Sequence, residues 1–183
     1  MRNVIYSTNI SIDGNCDHTS SGPDEELYEY FIKLMQDTDL VVYGRKTYEL
    51  MFPYWSDIAE AQSETKVENE FAETLTAVNK LVFSKTLKSA DYNTRIVREN
   101  PGDEILKLKQ QAGKKILIGS INLGSQLMAL GLIDEYFFVI HPVIVGEGKH
   151  LLEGITLQEK IKLKLVDVKV FKSGYVGIHY VKQ

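Results

Sequence analysis

Apolar and polar positions alternate along the chain in a pattern that predicts an α/β fold. Short runs rich in β-branched and aromatic residues predict eight strands. These are Asn3–Ile12, Asp39–Tyr43, Lys80–Phe83, Thr94–Val97, Lys115–Ile118, Ile133–Ile140, Ile161–Val170 and Tyr175–Val181. Helical periodicity predicts further elements at Leu27–Met35, Thr47–Met51, Ser63–Thr74, Asp103–Gln111 and Leu123–Leu130.

The first helix has the clearest pattern. Its apolar positions between Leu27 and Met35 follow the i, i+3, i+4, i+7, i+8 spacing of an amphipathic helix. Pro23, followed by three acidic residues, is a favourable helix start, because proline fits the first turn and carboxylates stabilise the positive end of the helix dipole.

The order of the elements predicts how the sheet is built. Helices and strands alternate as far as Ile133, and only strands follow. Alternation favours parallel strands, whereas the last two runs, joined through Ser173-Gly174, predict an antiparallel hairpin. We therefore expect a mainly parallel eight-stranded sheet with a C-terminal hairpin, flanked by helices, in a single domain over residues 1–183.

Composition and charge argue against two classes of partner, nucleic acids and membranes. The formal net charge is −4, and the 21 basic residues are scattered, so neither nucleic acid nor a membrane surface is an expected partner. The N-terminus lacks the apolar stretch of a signal peptide, which predicts a cytoplasmic protein.

Histidine and cysteine residues indicate no metal site. The single cysteine, Cys16, has no partner for a disulfide or a zinc site, which fits a reducing compartment. The four histidines, His18, His141, His150 and His179, do not stand at metal-ligand spacing.

Three predicted strand ends carry groups that suit an anion. Val41–Glu49 and Lys115–Gly124 each read as a strand, a glycine and a helix start, where backbone N–H groups and the helix dipole favour negative charge. Ser84-Lys85-Thr86, after the strand that ends at Phe83, adds two hydroxyls and an ammonium. Taken alone, the first segment fits an ordinary strand-to-helix turn as well as an anion site, and the Ser84 segment is more typical of an ordinary polar strand exit. Three such segments together favour a ligand with several phosphates. The glycine spacing of a Rossmann dinucleotide site is absent.

Six motifs stand in order along nearly the whole chain: Ser11-Ile12-Asp13-Gly14, Tyr43–Glu49, Val82-Phe83-Ser84-Lys85, Ile118-Gly119-Ser120, Gly131–Tyr136 and Pro142–Gly148. Together they resemble the dihydrofolate reductase family, and within it the branch that contains the reductase domain of riboflavin biosynthesis.

The resemblance implies NADPH as cofactor and assigns residues to its phosphates. Gly44, Arg45 and Thr47 would bind cofactor phosphates. Ser84 and Lys85 would contact the 2′-phosphate of the adenosine and so favour NADPH over NADH.

The fifth-strand motif would hold the pyrophosphate. It comprises Gly119, Ser120, Ile121, Asn122 and Leu123. Relatives often have a cis peptide in a glycine pair here; in this chain the pair is Gly119-Ser120, and a cis bond is costly outside proline.

The first strand would border the nicotinamide through Asn9 and Ile10 and on to Cys16, with Asp13-Gly14 opening a loop over the ring. A redox role for Cys16 is the alternative to packing, but no basic partner is fixed near it in the sequence.

The cofactor supplies the hydride, so the protein's own contribution to the reaction is mainly a proton donor. The identity of that donor is therefore the best indication of the substrate. Dihydrofolate reductases carry a carboxylate on the first helix, and alignment of Tyr30-Phe31 with the aromatic pair that follows it puts Leu27 at or beside the position of that carboxylate. Glu26 and Glu29 are the remaining candidates; the alternative is that they are surface charges at a helix start.

The resemblance therefore implies an NADPH-dependent reductase that transfers a hydride to a small heterocycle, of the 5-amino-6-(5-phosphoribosylamino)uracil reductase type. Dihydrofolate reductase activity and a non-catalytic NADP-binding protein are the alternatives. The riboflavin branch also implies a homodimer.

Two other segments have open assignments. The aromatic stretch with Phe52, Tyr54 and Trp55 is either core or part of a substrate cleft. Asp134-Glu135 is expected to be a strand start rather than a catalytic pair.

Overall fold

A computed structural model describes residues 1–16, 24–91 and 93–183. Pro23 and His18 lie outside these residues. All eight strands join one sheet in the order β4-β3-β2-β5-β1-β6-β8-β7. The strands are β1 (Val4–Ser11), β2 (Thr38–Gly44), β3 (Asn79–Phe83), β4 (Thr94–Val97), β5 (Lys115–Ile118), β6 (Glu135–His141), β7 (Leu163–Val170) and β8 (Val176–Lys182).

The sheet is mainly parallel, as the sequence predicts. Every neighbouring pair from β4 across to β6 is parallel. β8 runs antiparallel to both β6 and β7, so the C-terminal hairpin extends the sheet at one edge. The predicted fold class and all eight strands are confirmed, with boundaries that differ by no more than two residues.

Five helices flank the sheet within the described residues. They are α1 (Glu25–Gln36), α2 (Arg45–Ala61), α3 (Lys66–Ala77), α4 (Pro101–Lys109) and α5 (Ile121–Ala129). The largest difference from the sequence prediction is α2, which continues ten residues beyond Met51 and contains Pro53. Proline removes one helical hydrogen bond, but the buried Phe52, Trp55 and Ile58 pack the helix on both sides of it.

Two apolar cores hold these helices on opposite faces of the sheet. The first joins α1, α2 and α3 to the sheet through residues such as Ile5, Phe52 and Phe71. The second joins α4 and α5 through Tyr6 and Leu127. Successive strand residues contribute to opposite cores, as the two-residue period of a strand requires when both faces are covered.

One close approach fixes α5 on the sheet. A Cβ atom at Gly124 would overlap the ring of Tyr6, lying 2.8 Å from its Cζ, so the helix can lie on β1 only because this position has no side chain. Tyr6 is fully buried. The pair therefore sets the distance between α5 and the strand.

We expect Gly124→Ala to destabilise the protein by about 1–3 kcal/mol, because overpacking at the Tyr6 ring exceeds the roughly 1 kcal/mol that alanine gains over glycine within a helix. Urea denaturation measures the change. In a Tyr6→Leu background the same substitution should cost less or become stabilising. Equal costs in the two backgrounds would show that the Tyr6 contact does not set the helix position.

Candidate functional site

The first strand runs past one of its neighbours and so opens a crevice. β1 pairs with β5 only over Val4–Tyr6, whereas it pairs with β6 over Ile5–Ser11. Residues Ser7–Ser11 therefore have no strand on the β5 side. Ligands of open α/β sheets bind in such a crevice beyond the carboxyl ends of the strands.

Asn9 lies on the stretch of β1 that borders this crevice and carries an unsatisfied acceptor. Its Oδ1 atom is buried and has no hydrogen-bond partner among the described residues. A buried polar atom without a partner is costly, so this carbonyl suits the N–H group of a ligand. Ile10 points to the opposite face of the sheet, since successive strand side chains alternate. The two predicted nicotinamide contacts therefore lie on different faces.

The neighbouring strand ends are tied together where the predicted phosphate motifs lie. The backbone N–H of Gly44, at the end of β2, donates to Ser120 Oγ at 2.9 Å, and the N–H of Gly119 donates to the Val42 carbonyl at 3.0 Å. Two of the three predicted anion segments are thus adjacent. All the described peptide bonds are trans, Gly119-Ser120 included.

The helices that begin at these two strand ends have no side-chain cap. Gly44 and Ser120 occupy the N-cap positions of α2 and α5, and neither side chain accepts a hydrogen bond from the first turn. By contrast, Asp24 caps α1 and Asn100 caps α4. All four helices follow a parallel strand, but only the pair beside the crevice leaves its first-turn N–H groups without a side-chain acceptor.

The first turn of α2 carries the cationic side chain of Arg45 and the hydroxyl of Thr47. Arg45 Nη1 bonds Glu49 Oε2 at 2.8 Å on the exposed side of the helix. Such a surface pair contributes little to stability, so Arg45 can exchange partners at small cost. Thr47 is half-buried in the same turn.

The third predicted segment lies next to the α2 start, because Gly44 pairs with Phe83 in the sheet. Ser84 Oγ accepts from the N–H groups of Thr86 and Leu87 at 3.2 and 2.9 Å, so this hydroxyl shapes its own turn. Lys85 is exposed. The neighbouring Thr86 is exposed as well, so a phosphate can reach both side chains, and Lys85 is the cation of the two.

Sequence reasoning missed Arg98, which holds that turn in place. Its Nη1 and Nη2 atoms donate to the carbonyls of Ser84 and Leu87 at 3.1 and 3.0 Å. The available signal was its position directly after β4, the strand beside β3.

Lys149 was also missed. Its ammonium bonds Asn122 Oδ1 in the first turn of α5, which places a cation beside the predicted pyrophosphate segment.

Two motifs that are far apart in the sequence form one structure, which we call the loop clamp: residues 11–16 and 142–149. Ile12 N–H donates to the Val143 carbonyl at 3.0 Å, and Cys16 N–H donates to the Lys149 carbonyl at 2.6 Å. The side-chain amide of Asn15 donates to the Glu147 carbonyl at 2.6 Å. The clamp lies where β1 and β6 end, beside the crevice.

Asp13 is the carboxylate of the loop clamp. It accepts from the N–H groups of Val145 and Gly146 at 3.3 and 2.8 Å and from the hydroxyl of Ser11. The Ser11 hydrogen bond, followed by that from Gly146, lowers the pKa of Asp13 to about 2. Because the pKa of Asp13 is lowered, the stabilisation from these hydrogen bonds to its carboxylate is fully present above the ordinary carboxyl pKa. It is lost as pH falls through about 2.

Neither candidate proton donor on α1 is placed as a free acid in the crevice. Glu26 Oε2 accepts from the Lys172 N–H at 2.9 Å, which lowers the pKa of Glu26 and ties α1 to the β7–β8 turn. Glu29 is exposed. Leu27 is fully buried in a small apolar cluster with Val139 of β6.

Cys16 and the aromatic stretch belong to the packing. Cys16 is 2 % exposed, and burial raises the pKa of its thiol to about 11, so the thiol is protonated near neutrality. Phe52 and Trp55 are core residues, whereas Tyr54 is exposed. The contact of Cys16 with a cofactor stays a prediction.

Asp134 and Glu135 lie at the amino edge of the sheet, opposite the crevice. Asp134 accepts from the Val4 N–H and pairs with Lys109. Glu135 accepts from Asn3 at 2.8 Å and pairs with Lys115 at 3.0 Å. The strand-start assignment is confirmed.

Within residues 1–16, 24–91 and 93–183, no group of three or more histidine, cysteine or carboxylate side chains is arranged to hold a metal ion. No helix in that part of the chain is long and apolar enough to cross a membrane.

Sheet order and crevice together define an α/β protein of dihydrofolate-reductase-like topology. The chain belongs to the RibD C-terminal domain family, whose model matches residues 2–177. It is 31 % identical over 183 residues to the uncharacterized protein YyaP of Bacillus subtilis, covering 98 % of this chain and 94 % of YyaP. The family is one of reductase domains, so the family suggested by the six motifs is confirmed.

Solved structures support the fold. A protein of Shewanella sp. PV-4 that is provisionally assigned to riboflavin biosynthesis has a similar structure. It matches with a TM-score of 0.71 at 17 % identity, over 100 % of this chain and 99 % of that one. A diaminohydroxyphosphoribosylaminopyrimidine deaminase/5-amino-6-(5-phosphoribosylamino)uracil reductase of Thermotoga maritima matches with a TM-score of 0.68 at 15 % identity. This chain is covered completely and spans 57 % of that longer protein.

We expect Asp13→Ala to open the loop clamp, because the Val145 and Gly146 N–H groups lose their carboxylate acceptor. Hydrogen–deuterium exchange of a peptide covering residues 143–149 should become at least several-fold faster. Glu147→Gln is the matched control, since this side chain is exposed and Glu147 joins the clamp through its backbone carbonyl, which the substitution keeps. Unchanged exchange in Asp13→Ala would show that backbone pairing alone closes the clamp.

Proposed function

We propose that the protein is an NADPH-dependent reductase that transfers a hydride to a small heterocycle, of the 5-amino-6-(5-phosphoribosylamino)uracil reductase type. Membership of a family of reductase domains supports the reaction class. The substrate type rests on the name of the Thermotoga maritima structure, which is related in fold.

The observation that carries the cofactor proposal is the contrast between helix starts. α2 and α5 begin beside the crevice without side-chain caps, whereas α1 and α4 are capped. Bare helix N-termini favour anions through their N–H groups and the helix dipole. Two of them at adjacent strand ends suit a diphosphate rather than a single carboxylate.

The residues around the crevice fit the rest of a dinucleotide in linear order. Lys85 at the end of β3 would take the 2′-phosphate. Gly44, Arg45 and Thr47 would hold phosphate oxygens at β2, with Ser120 and Asn122 beside them at β5. Asn9 Oδ1, which is buried without a partner, would accept from the carboxamide of the nicotinamide.

The bound cofactor supplies the hydride, and the protein must position the acceptor and provide one proton. Leu27 cannot donate a proton, and Glu26 is held by Lys172. Folate reduction that depends on an acid at this position is therefore disfavoured. The lack of a free acid at Leu27 and Glu26 also favours a second candidate function, that of a non-catalytic NADP-binding protein. An assay for turnover distinguishes this candidate from the reductase.

We expect Lys85→Ala to weaken NADPH binding about tenfold, equivalent to ~1.4 kcal/mol, and to leave NADH binding unchanged, because only NADPH carries the 2′-phosphate. Isothermal titration calorimetry measures both. Lys88→Ala is the matched control, an exposed lysine three residues away. Equal losses for the two cofactors, or no NADPH binding at millimolar concentration, would contradict the assignment.

We expect the wild-type protein to oxidise NADPH in the presence of 5-amino-6-(5-phosphoribosylamino)uracil, measured as a loss of absorbance at 340 nm, and to oxidise it much more slowly with dihydrofolate. The dihydrofolate reaction should be slow because Leu27 replaces the acid that folate reduction uses. Tight NADPH binding with no turnover of either compound or of related heterocycles would contradict the reductase proposal and favour a non-catalytic NADP-binding protein.

A further inference from the structure

The last side chain of β2, Tyr43, leans across the end of β5. Val42 pairs with Ile118, so the next residues along the two strands, Tyr43 and Gly119, stand side by side. A Cβ atom at Gly119 would lie 2.7 Å from Tyr43 Cε1 and 3.4 Å from Tyr43 Cζ. The half of the ring that carries the hydroxyl therefore lies over Gly119.

A ring in this position points toward β1. β5 stands between β2 and β1 in the sheet, and Ile118 pairs with Tyr6, so Ser7 is the β1 residue opposite Gly119. Neighbouring strands are about 4.8 Å apart, which is less than the reach of a tyrosine side chain. The Tyr43 hydroxyl is thus directed at the stretch of β1 that borders the crevice.

Tyr43, Asn9 and Leu27 lie on the same face of the sheet. Tyr43 packs with Ile5 in the core that joins α1, α2 and α3, and Asn9, an even number of positions beyond Ile5, shares that face. Asn9 pairs with Val139, on which Leu27 of α1 packs. The phenol therefore approaches from β2 the same side of the crevice that an acid on α1 would approach from above.

The Tyr43 hydroxyl keeps its proton at neutral pH. Burial raises the pKa of Tyr43, and neither a charge nor a hydrogen bond from the described residues contributes to that shift. Phe52 covers the ring in an edge contact, with 5.7 Å between the ring centroids. An O–H group in such surroundings gives up its proton only to a strong base.

The other acidic groups near the crevice are engaged elsewhere. Asp13 is ionised above pH about 2, and Glu26 is held at the β7–β8 turn. The thiol of Cys16 interacts with Tyr6, which belongs to the core on the other face of the sheet. The Ser7 hydroxyl lies in the right row, but an alcohol is a much weaker acid than a phenol.

We propose that Tyr43 is the proton donor of the reaction and protonates the nitrogen or oxygen of the acceptor bond whose carbon receives the hydride. The proposal rests on the proposed reductase function and narrows its substrate class. The acceptor is a C=N or C=O group, whose heteroatom becomes strongly basic as the hydride arrives. It is not a ring that a carboxylic acid must protonate beforehand.

The step balances with the groups at hand. A C–H bond forms at the acceptor carbon with the electron pair of the cofactor hydride, and the π pair of the C=N or C=O bond moves to the nitrogen or oxygen. That atom bonds the proton of the Tyr43 hydroxyl as the phenol O–H bond breaks. The phenolate then takes a proton from solvent, so that one hydride and one proton are consumed for each acceptor reduced.

Tyr43→Phe tests the assignment, because it removes the hydroxyl and keeps the ring over Gly119. With NADPH and 5-amino-6-(5-phosphoribosylamino)uracil, we expect kcat, followed at 340 nm, to fall at least about 100-fold. The dissociation constant for NADPH should stay unchanged, which also reports that the variant is folded. Tyr48→Phe is the matched control: its ring stacks on the same Phe52, but its hydroxyl bonds Asp91 at 2.8 Å, so kcat should not change.

A second measurement needs no turnover. Tyrosine labelled with carbon-13 at Cζ gives one NMR signal for each tyrosine, and the Tyr43 signal is the one missing from Tyr43→Phe. In the presence of NADP⁺, which has no hydride to give, addition of the same acceptor should shift the Tyr43 signal, because the hydroxyl then donates to the acceptor. The Tyr48 signal should stay in place.

The outcomes separate this proposal from the function on which it rests. Wild-type turnover in Tyr43→Phe, an equal loss in Tyr48→Phe, or a Tyr43 signal that does not respond to the acceptor overturns the proton-donor assignment and leaves the reductase function standing. A wild-type protein that binds NADPH and reduces neither this acceptor nor related heterocycles refutes the reductase function, and the proton donor with it.

Discussion

The unequal pairing of the central strand is the constraint on which the rest of the site depends. β1 has β6 beside it as far as Ser11 but loses β5 after Tyr6. β5 ends at Ile118, and α5 begins at Ile121. Gly119, between them, lies so close to the Tyr43 ring that a Cβ atom there would be 2.7 Å from it. The open side of β1 is thus a direct consequence of one short strand and the helix that follows it.

The position of α5 couples the stability of the fold to the geometry of the crevice. The helix lies close to β1 through Gly124 and Tyr6, and its N-cap residue Ser120 accepts from Gly44 at the start of α2. A shift of α5 would therefore move both uncapped helix starts relative to each other. The loop clamp adds a second attachment through Lys149 and Asn122. Packing in the apolar core and placement of the groups proposed to bind the cofactor phosphates are properties of the same helix.

The sequence predicted the strands well because each is short, apolar and bounded by polar or glycine residues, and such segments need little tertiary information. The extent of α2 was not predictable, because Pro53 signals a break that only the packing of Phe52 and Trp55 overrides. The loop clamp was missed for another reason: Asp13 and Gly146 belong to motifs that are far apart in the sequence, and only the fold joins them.

Leu27 shows that a family resemblance predicts the topology of a chain more securely than its chemistry. Topology follows from the pattern of buried positions, which a leucine satisfies as well as an acid does, or better in the apolar cluster with Val139, Phe171 and Tyr175. Chemistry depends on a single titratable group, and a hydride acceptor needs one proton for each hydride. In the proposed reductase, with an aliphatic side chain at this place, the proton would come from water, from the substrate or from a side chain elsewhere in the crevice. The crevice is therefore suited to an acceptor whose reduction does not depend on an acid from the first helix.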